Sequence, residues 1–216
     1  MVVYSHGFGV RKDDRGLFTD IANTIPEVRH VMFDYNLIDE QANVLTVSPL
    51  QIQAQKLNNQ LREIEDDSII DIVAHSQGCV TAALAQPKGV RRIFFLAPPD
   101  NVEVDRLINI FGEREGSVID LGGESRIPRR DNSTTIIPAA YWQGLADIDP
   151  MQLYGNLLQL TDVRFFVAKD DEVLGATDFS RISEHFKLIQ LQSSHDFTGK
   201  AREYVADYIR HEIVGS

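Results

Sequence analysis

Six short apolar runs constrain this chain more tightly than any other feature: VVYS (2–5), HVMFDY (30–35), SIIDIVA (68–74), RRIFFLA (91–97), VRFFVA (163–168) and FKLIQLQ (186–192). A strand with one wet face alternates apolar and polar residues, whereas a strand covered on both faces is apolar almost throughout. These runs read as the second kind, so they need helices above and below them. Segments of helical periodicity supply the cover. The clearest is 48–65, where Ser48 is placed to cap, Pro49 suits the first helical position and Gln51 completes a capping box. Leu50, Ala54, Leu57, Leu61 and Ile64 then form one apolar stripe. At the C-terminal end, Ala201, Tyr204, Val205, Tyr208 and Ile209 form another. The expectation is an α/β three-layer sandwich: a mainly parallel six-stranded sheet with helices on both faces.

Bulk properties exclude several functions. At 216 residues one domain with a full core is expected. No apolar run approaches the roughly 18 residues of a bilayer span. Met1 leads straight into Val2 and Val3 without a charged n-region or an apolar h-region, so no signal peptide is read and a cytoplasmic setting is expected. A net charge of −11 repels phosphate backbones and anionic lipid alike, which argues against nucleic acid or a membrane surface as partner. Cys79 is the single cysteine, so neither an intrachain disulfide nor a cysteine zinc cage is available. No HExxH occurs, the glycines at 7 and 9 fail GxGxxG because position 12 is Lys, and no phosphate-binding P-loop is present. No metal or cofactor is expected.

The alternating rhythm breaks after RRIFFLA. An ordinary crossover needs about a dozen residues, but the next apolar run starts only at Val163. Residues 100–160 therefore read as an insertion within the single domain. Within it 100–111 looks helical, SVIDLGG through RRDNSTTIIP alternates like a hairpin, and 141–158 looks helical again.

One stretch carries chemistry. In DIVAHSQGCV, Ser76 follows a buried strand and precedes a run of small residues. A serine held up on a sharp strand-to-helix turn needs small residues two positions to either side. Gly78 meets that need, and Ala74 is one methyl from the usual glycine.

Four motifs in chain order, YSHGFG (4–9), AHSQG (74–78), VAKDDEVL (167–174) and SSHDF (193–197), resemble those of the α/β-hydrolase superfamily. The resemblance covers nearly the whole chain apart from the insertion. It implies Ser76 as nucleophile, His195 as general base and Asp171 as the orienting acid, in the superfamily's order of serine, acid, histidine. It also implies an oxyanion hole made of the backbone N–H groups of Phe8 and Gln77. Asp170 and Asp100 stay open as alternative acids. His195 competes with His6, His30, His75, His185 and His211 for the base, but it alone combines a strand end with a closing helix. The chain starts at what would be the third family strand, without the first hairpin, so the expected sheet order is 4, 3, 5, 6, 7, 8 in the family's count.

In this family an insertion after the sixth strand commonly forms a lid. Tyr141, Trp142, Phe111 and Leu145 would then wall an acyl pocket with His75 beside the nucleophile, or the first four would form the insertion's own small core. Arg126, Arg129 and Arg130 would meet an anionic substrate group or sit on a solvated hairpin tip. The implied activity is cofactor-independent hydrolysis of a small carboxylic ester through an acyl-enzyme. The same apparatus serves thioesterases, amidases and acyltransferases, and the same fold also hosts noncatalytic small-molecule receptors. Oligomeric state is not encoded in these motifs.

Overall fold

The computed structural model describes residues 1–64, 68–129, 131–182 and 185–215. In chain order the elements are β1 (Val2–Ser5), α1 (Leu17–Thr24), β2 (His30–Val31), β3 (Leu37–Asp39), β4 (Val44–Thr46), α2 (Leu50–Arg62), β5 (Ile70–His75), α3 (Gln77–Ala85) and β6 (Val90–Leu96). They continue with α4 (Val104–Gly112), β7 (Glu124–Pro128), β8 (Thr134–Pro138), α5 (Ala139–Gln143), α6 (Pro150–Leu158), β9 (Asp162–Ala168), β10 (Lys187–Leu191) and α7 (Lys200–Val214).

The main sheet has the order β10–β9–β6–β5–β1–β2, and every pairing in it is parallel. This is the expected order, read from the opposite edge. Period-two alternation divides its side chains between two cores. Val3, Ile72, Ala74, Ile93, Phe95 and Phe165 pack with α2, α3 and α6. Val2, Tyr4, Val73, Phe94, Leu96 and Phe166 pack against α1 and α7. α3 lies deepest, buried at every position except Leu84, which is why its sequence shows no polar face.

Local details depart from the sequence reading. In 30–35 only His30 and Val31 pair in the sheet, because the Tyr35 N–H leaves it to donate to His6 Nε2 at 3.0 Å. Ser48 does not cap α2: its hydroxyl donates to the Tyr35 carbonyl at 2.7 Å, and Gln51 reaches the Gly144 carbonyl at 2.9 Å, so no capping box forms. α2 ends at Arg62, and Glu65 lies outside the described residues. The 141–158 helix is two helices, because Asp149 caps a new start with Pro150 at its first turn. α4 starts at Val104 rather than at Asp100, whose carboxylate is engaged by Arg106 and by the Asp178 N–H. On α7, Tyr204 is exposed, and Ile213 takes the buried place instead.

A second sheet, β3–β4–β8–β7, was not anticipated. Its β7–β8 hairpin comes from the insertion, but β8 pairs in parallel with β4 from outside it. The inserted segment is thereby sewn to the loop after β2.

The backbone of α3 starts hard against the end of β1. A Cβ on Gly78 would fall 2.0 Å from the Ser5 carbonyl oxygen and 2.8 Å from that of His6. Backbone atoms cannot yield as a flexible side chain does. Gly78→Ala is expected to lower stability by about 3 kcal/mol or more, a fall in Tm on the order of 10 °C. Gly112→Ala, at a helical position with open space around it, is expected to raise stability by up to about 1 kcal/mol. Thermal denaturation of the two variants checks the contrast.

Candidate active site

Ser76 stands alone between β5 and α3, with φ 53° and ψ −125°. A non-glycine residue held there stores about 1–3 kcal/mol of strain. The turn is fixed from both sides, by the Ser76 N–H donating to the Leu96 carbonyl at 2.8 Å and by the Gly78 contact with β1. The hydroxyl is thus carried on a sharp corner at the C-terminal edge of a parallel sheet, where α/β folds place ligands.

His195 Nε2 lies 2.9 Å from Ser76 Oγ, and His195 Nδ1 lies 2.8 Å from Asp171 Oδ2. The other Asp171 oxygen accepts the N–H groups of Val173 and Leu174 at 2.9 and 2.7 Å. Burial works against the Asp171 charge, but the histidine contact and these two N–H donors outweigh it and hold the carboxyl below its ordinary range. A carboxylate only accepts, so the shared proton sits on Nδ1 and the Nε2 lone pair faces the serine hydroxyl. The competing acids lie elsewhere. Asp170 bonds the Gln192 amide, and Asp100 bonds Arg106 and Asn101.

The loop after β1 runs beside the serine: a Cβ on Gly7 would be 3.3 Å from Ser76 Cβ. Among the described residues, neither the Phe8 nor the Gln77 backbone N–H donates to a protein acceptor. The Gln77 side chain is held away from the turn, accepting from the Tyr141 hydroxyl at 2.6 Å and donating to Gln53 at 3.2 Å. His6 is tied into the same loop. Its Nε2 accepts the Tyr35 N–H, so Nδ1–H donates to the Gly7 carbonyl, and burial keeps the ring pKa low.

A second buried histidine–acid pair was missed by the sequence reading. His75 Nδ1 lies 2.9 Å from Asp14 Oδ2, which also accepts the Gly7 N–H at 2.8 Å, while His75 Nε2 lies 3.1 Å from the His195 carbonyl. Both ring nitrogens face acceptors, an arrangement that favours the doubly protonated ring. Burial opposes that charge, but Asp14 outweighs it and raises the His75 pKa; Asp14 is in turn held low against its own burial by His75 and the Gly7 N–H. One ion pair therefore links the loop after β1, the strand before Ser76 and the loop that carries His195. Asp14 was illegible because it sits in RKDDRG, a run that reads as a solvated loop.

His75, His195 and Asp196 bring potential ligand atoms within 4.8 Å of one another. Their donor set does not suit a metal. Every ring nitrogen is already hydrogen-bonded, and Asp196 pairs with Arg15.

Beside Ser76 opens a cavity of about 140 Å³. His75, Phe111 and Tyr141 line it, with Phe8 stacked on Phe111 at a ring separation of 4.6 Å. Trp142 and Leu145 do not: both are buried in the core, and the Trp142 indole N–H is used by Ser125 Oγ at 3.1 Å. Arg126 is exposed and pairs with Glu124, whereas Arg129 lines the cavity; Arg130 lies outside the described residues. Cys79 is buried with its thiol on the Ala74 carbonyl, and burial pushes its pKa far up, so it is inert.

No protein-family model matches the sequence, and no curated protein matches it. Solved structures do match. A structure of Est1E from Butyrivibrio proteoclasticus with ferulic acid bound aligns with a TM-score of 0.70 at 14% identity, over 99% of this chain and 88% of that one. The esterase domain of a Rhodothermus marinus protein aligns at 0.67 and 14%, over 98% and 85%. A pyrethroid hydrolase from Sphingobium faniae JZ-2 aligns at 0.61 and 15%, over 96% and 94%. The chain has the fold of the α/β-hydrolase superfamily. Among the described residues no helix is long and apolar enough to cross a membrane.

The His75–Asp14 pair generates a pH signature. The His75 pKa in the folded protein lies above the ordinary 6.5, so its stabilisation is complete below 6.5 and is lost as pH rises through the raised value. The Asp14 pKa lies below the ordinary 3.8, so its share is complete above 3.8 and is lost as pH falls through the depressed value. Both act together between 3.8 and 6.5. Asp14→Asn is expected to cost about 3 kcal/mol in that window, as for a broken buried pair, with the gap narrowing on either side. Thermal unfolding of both proteins across pH checks this; a gap independent of pH contradicts it.

Proposed function

We propose that the chain is a cofactor-independent serine hydrolase that cleaves small carboxylic esters through an acyl-enzyme on Ser76. The observation that carries this is the unbroken chain from Ser76 Oγ through His195 to Asp171, with contacts of 2.9 and 2.8 Å, at the edge of a cavity. The similarity in fold to proteins named as esterases and a pyrethroid hydrolase agrees with it.

In this reading His195 Nε2 takes the serine proton as Oγ bonds to the ester carbonyl carbon, and Asp171 steadies the resulting imidazolium. The carbonyl oxygen, now negative, is held by the Phe8 and Gln77 N–H groups, which have no other acceptor among the described residues. Collapse expels the alcohol, which takes the proton from His195. Water then repeats the sequence: His195 accepts its proton, hydroxide adds to the acyl carbon, and Ser76 leaves reprotonated with release of the acid. The segment 100–160 acts as the lid, since α4 and Tyr141 supply cavity walls. The complete chain of Ser76, His195 and Asp171 argues against a noncatalytic receptor.

Ser76→Ala is expected to lose hydrolysis of p-nitrophenyl esters by about a millionfold while keeping the wild-type circular dichroism. Asp171→Asn is expected to lose about four orders of magnitude, and Asp100→Asn far less. A fluorophosphonate probe followed by intact-mass spectrometry should label wild type and not Ser76→Ala. Ester turnover retained by folded Ser76→Ala contradicts the proposal.

A further inference from the structure

We infer that the substrate carries a carboxylate besides its scissile ester, and that Arg129 receives that charge in the cavity beside Ser76. This inference rests on the reading of Ser76 as the residue that is acylated.

The starting point is charge. The protein is acidic, at −11, yet four arginines line this cavity, Arg15, Arg106, Arg114 and Arg129, against two carboxylates, Asp14 and Asp196. Both of those carboxylates are engaged, Asp14 by His75 and Asp196 by Arg15 at 3.1 Å. Arg106 is matched by Asp100 at 3.2 Å. A cleft of opposite sign to the rest of the surface concentrates anions from solution.

Arg129 is the cation built into the wall. It follows β7 and is half-buried. Nε donates to Thr135 Oγ1 at 2.7 Å and Nη2 to the Gly9 carbonyl at 3.3 Å. Gly9 has φ +59°, and a Cβ there would fall 2.3 Å from Nη2, so the glycine makes room for the guanidinium. Both partners are neutral, and among the described residues no carboxylate lies within ion-pair distance of Arg129. A guanidinium has five N–H donors, and these two contacts leave three, enough for a two-pronged grip on a planar carboxylate. Burial first, then the charges of Arg114 and Arg15, holds its pKa down to about 10, so it remains charged at neutral pH in a field that a bound anion would relieve.

Position and surroundings define the rest of the ligand. Gly9 lies on the same loop as Phe8, so Arg129 is fixed to the segment assigned to the oxyanion. The same cavity is also lined by Phe8, stacked on Phe111, and by Leu107 and Ile110, all apolar. The matching molecule is a short apolar acid ester with a free carboxylate at its far end.

The test compares monomethyl adipate with its neutral isostere, in which the free acid is a carboxamide. Titrated calorimetrically into Ser76→Ala protein, the carboxylate should bind at least roughly tenfold more tightly, the span of one charge-assisted hydrogen bond. Arg129→Gln in the same background should bring the ratio towards one, Arg129→Lys should keep part of it, and Arg126→Gln, on the exposed face, should leave it unchanged. Raising the salt concentration should erode the preference. Equal binding of the two compounds, no detectable binding of either, or a preference that survives Arg129→Gln overturns the inference. Fluorophosphonate labelling of wild type is read separately: if it fails while the carboxylate preference stands, the hydrolase reading falls and the anion site does not.

Discussion

The start of α3 touches the end of β1 through bare backbone, and the site is arranged around that contact. Gly78 has no Cβ, so the helix can sit where any side chain would strike the Ser5 and His6 carbonyls. The Ser5 hydroxyl closes the joint by donating to the Gly78 carbonyl at 2.8 Å, and the Tyr35 hydroxyl donates in turn to Ser5 Oγ at 2.8 Å. Two neighbouring parallel strands therefore present their following loops side by side. One carries Gly7, Phe8 and Gly9; the other carries Ser76 in its strained conformation and the N–H of Gln77. Separating the layers by the width of one methyl would move the hydroxyl away from the loop after β1.

Two histidine–carboxylate pairs meet at this joint with their rings 4.9 Å apart, and their hydrogen bonds give them different tasks. His75 has both nitrogens on acceptors, Asp14 and the His195 carbonyl, and ties its strand to the two neighbouring loops. His195 donates from one nitrogen only and keeps the other for Ser76. An imidazole with both nitrogens committed to donation cannot take a proton, whereas the second ring keeps a nitrogen at Ser76.

The architecture was legible because it rests on local signals that burial enforces. Apolar runs such as SIIDIVA and RRIFFLA mark strands covered on both faces, and their order follows from the four motifs at their ends. The proximity of Ser76, His195 and Asp171 was legible for the same reason, each sitting just after a strand. What escaped depends on partners distant in sequence. Ser48 has every local mark of a cap yet bonds the Tyr35 carbonyl, and β3 and β4 become strands only because the β7–β8 hairpin pairs with them. Asp14 hides in a charged loop until His75, 61 residues away, is placed against it. Trp142 and Tyr141 are neighbours in sequence, but only the hydroxyl of Tyr141 has a partner at the serine turn, while the Trp142 indole finds Ser125 in the core. No periodicity separates those two fates.

The central claim is that one alcohol, one imidazole and two backbone N–H groups converge on a single reacting carbon. A crystal structure of the protein inactivated by an alkyl phosphonate fluoride measures this directly, since the tetrahedral phosphorus mimics the addition intermediate. The account predicts a covalent bond from Ser76 Oγ to phosphorus, with the phosphoryl oxygen within hydrogen-bonding distance of both the Phe8 and Gln77 nitrogens. Phosphorus on another residue, or a phosphoryl oxygen turned away from those two nitrogens, would contradict it.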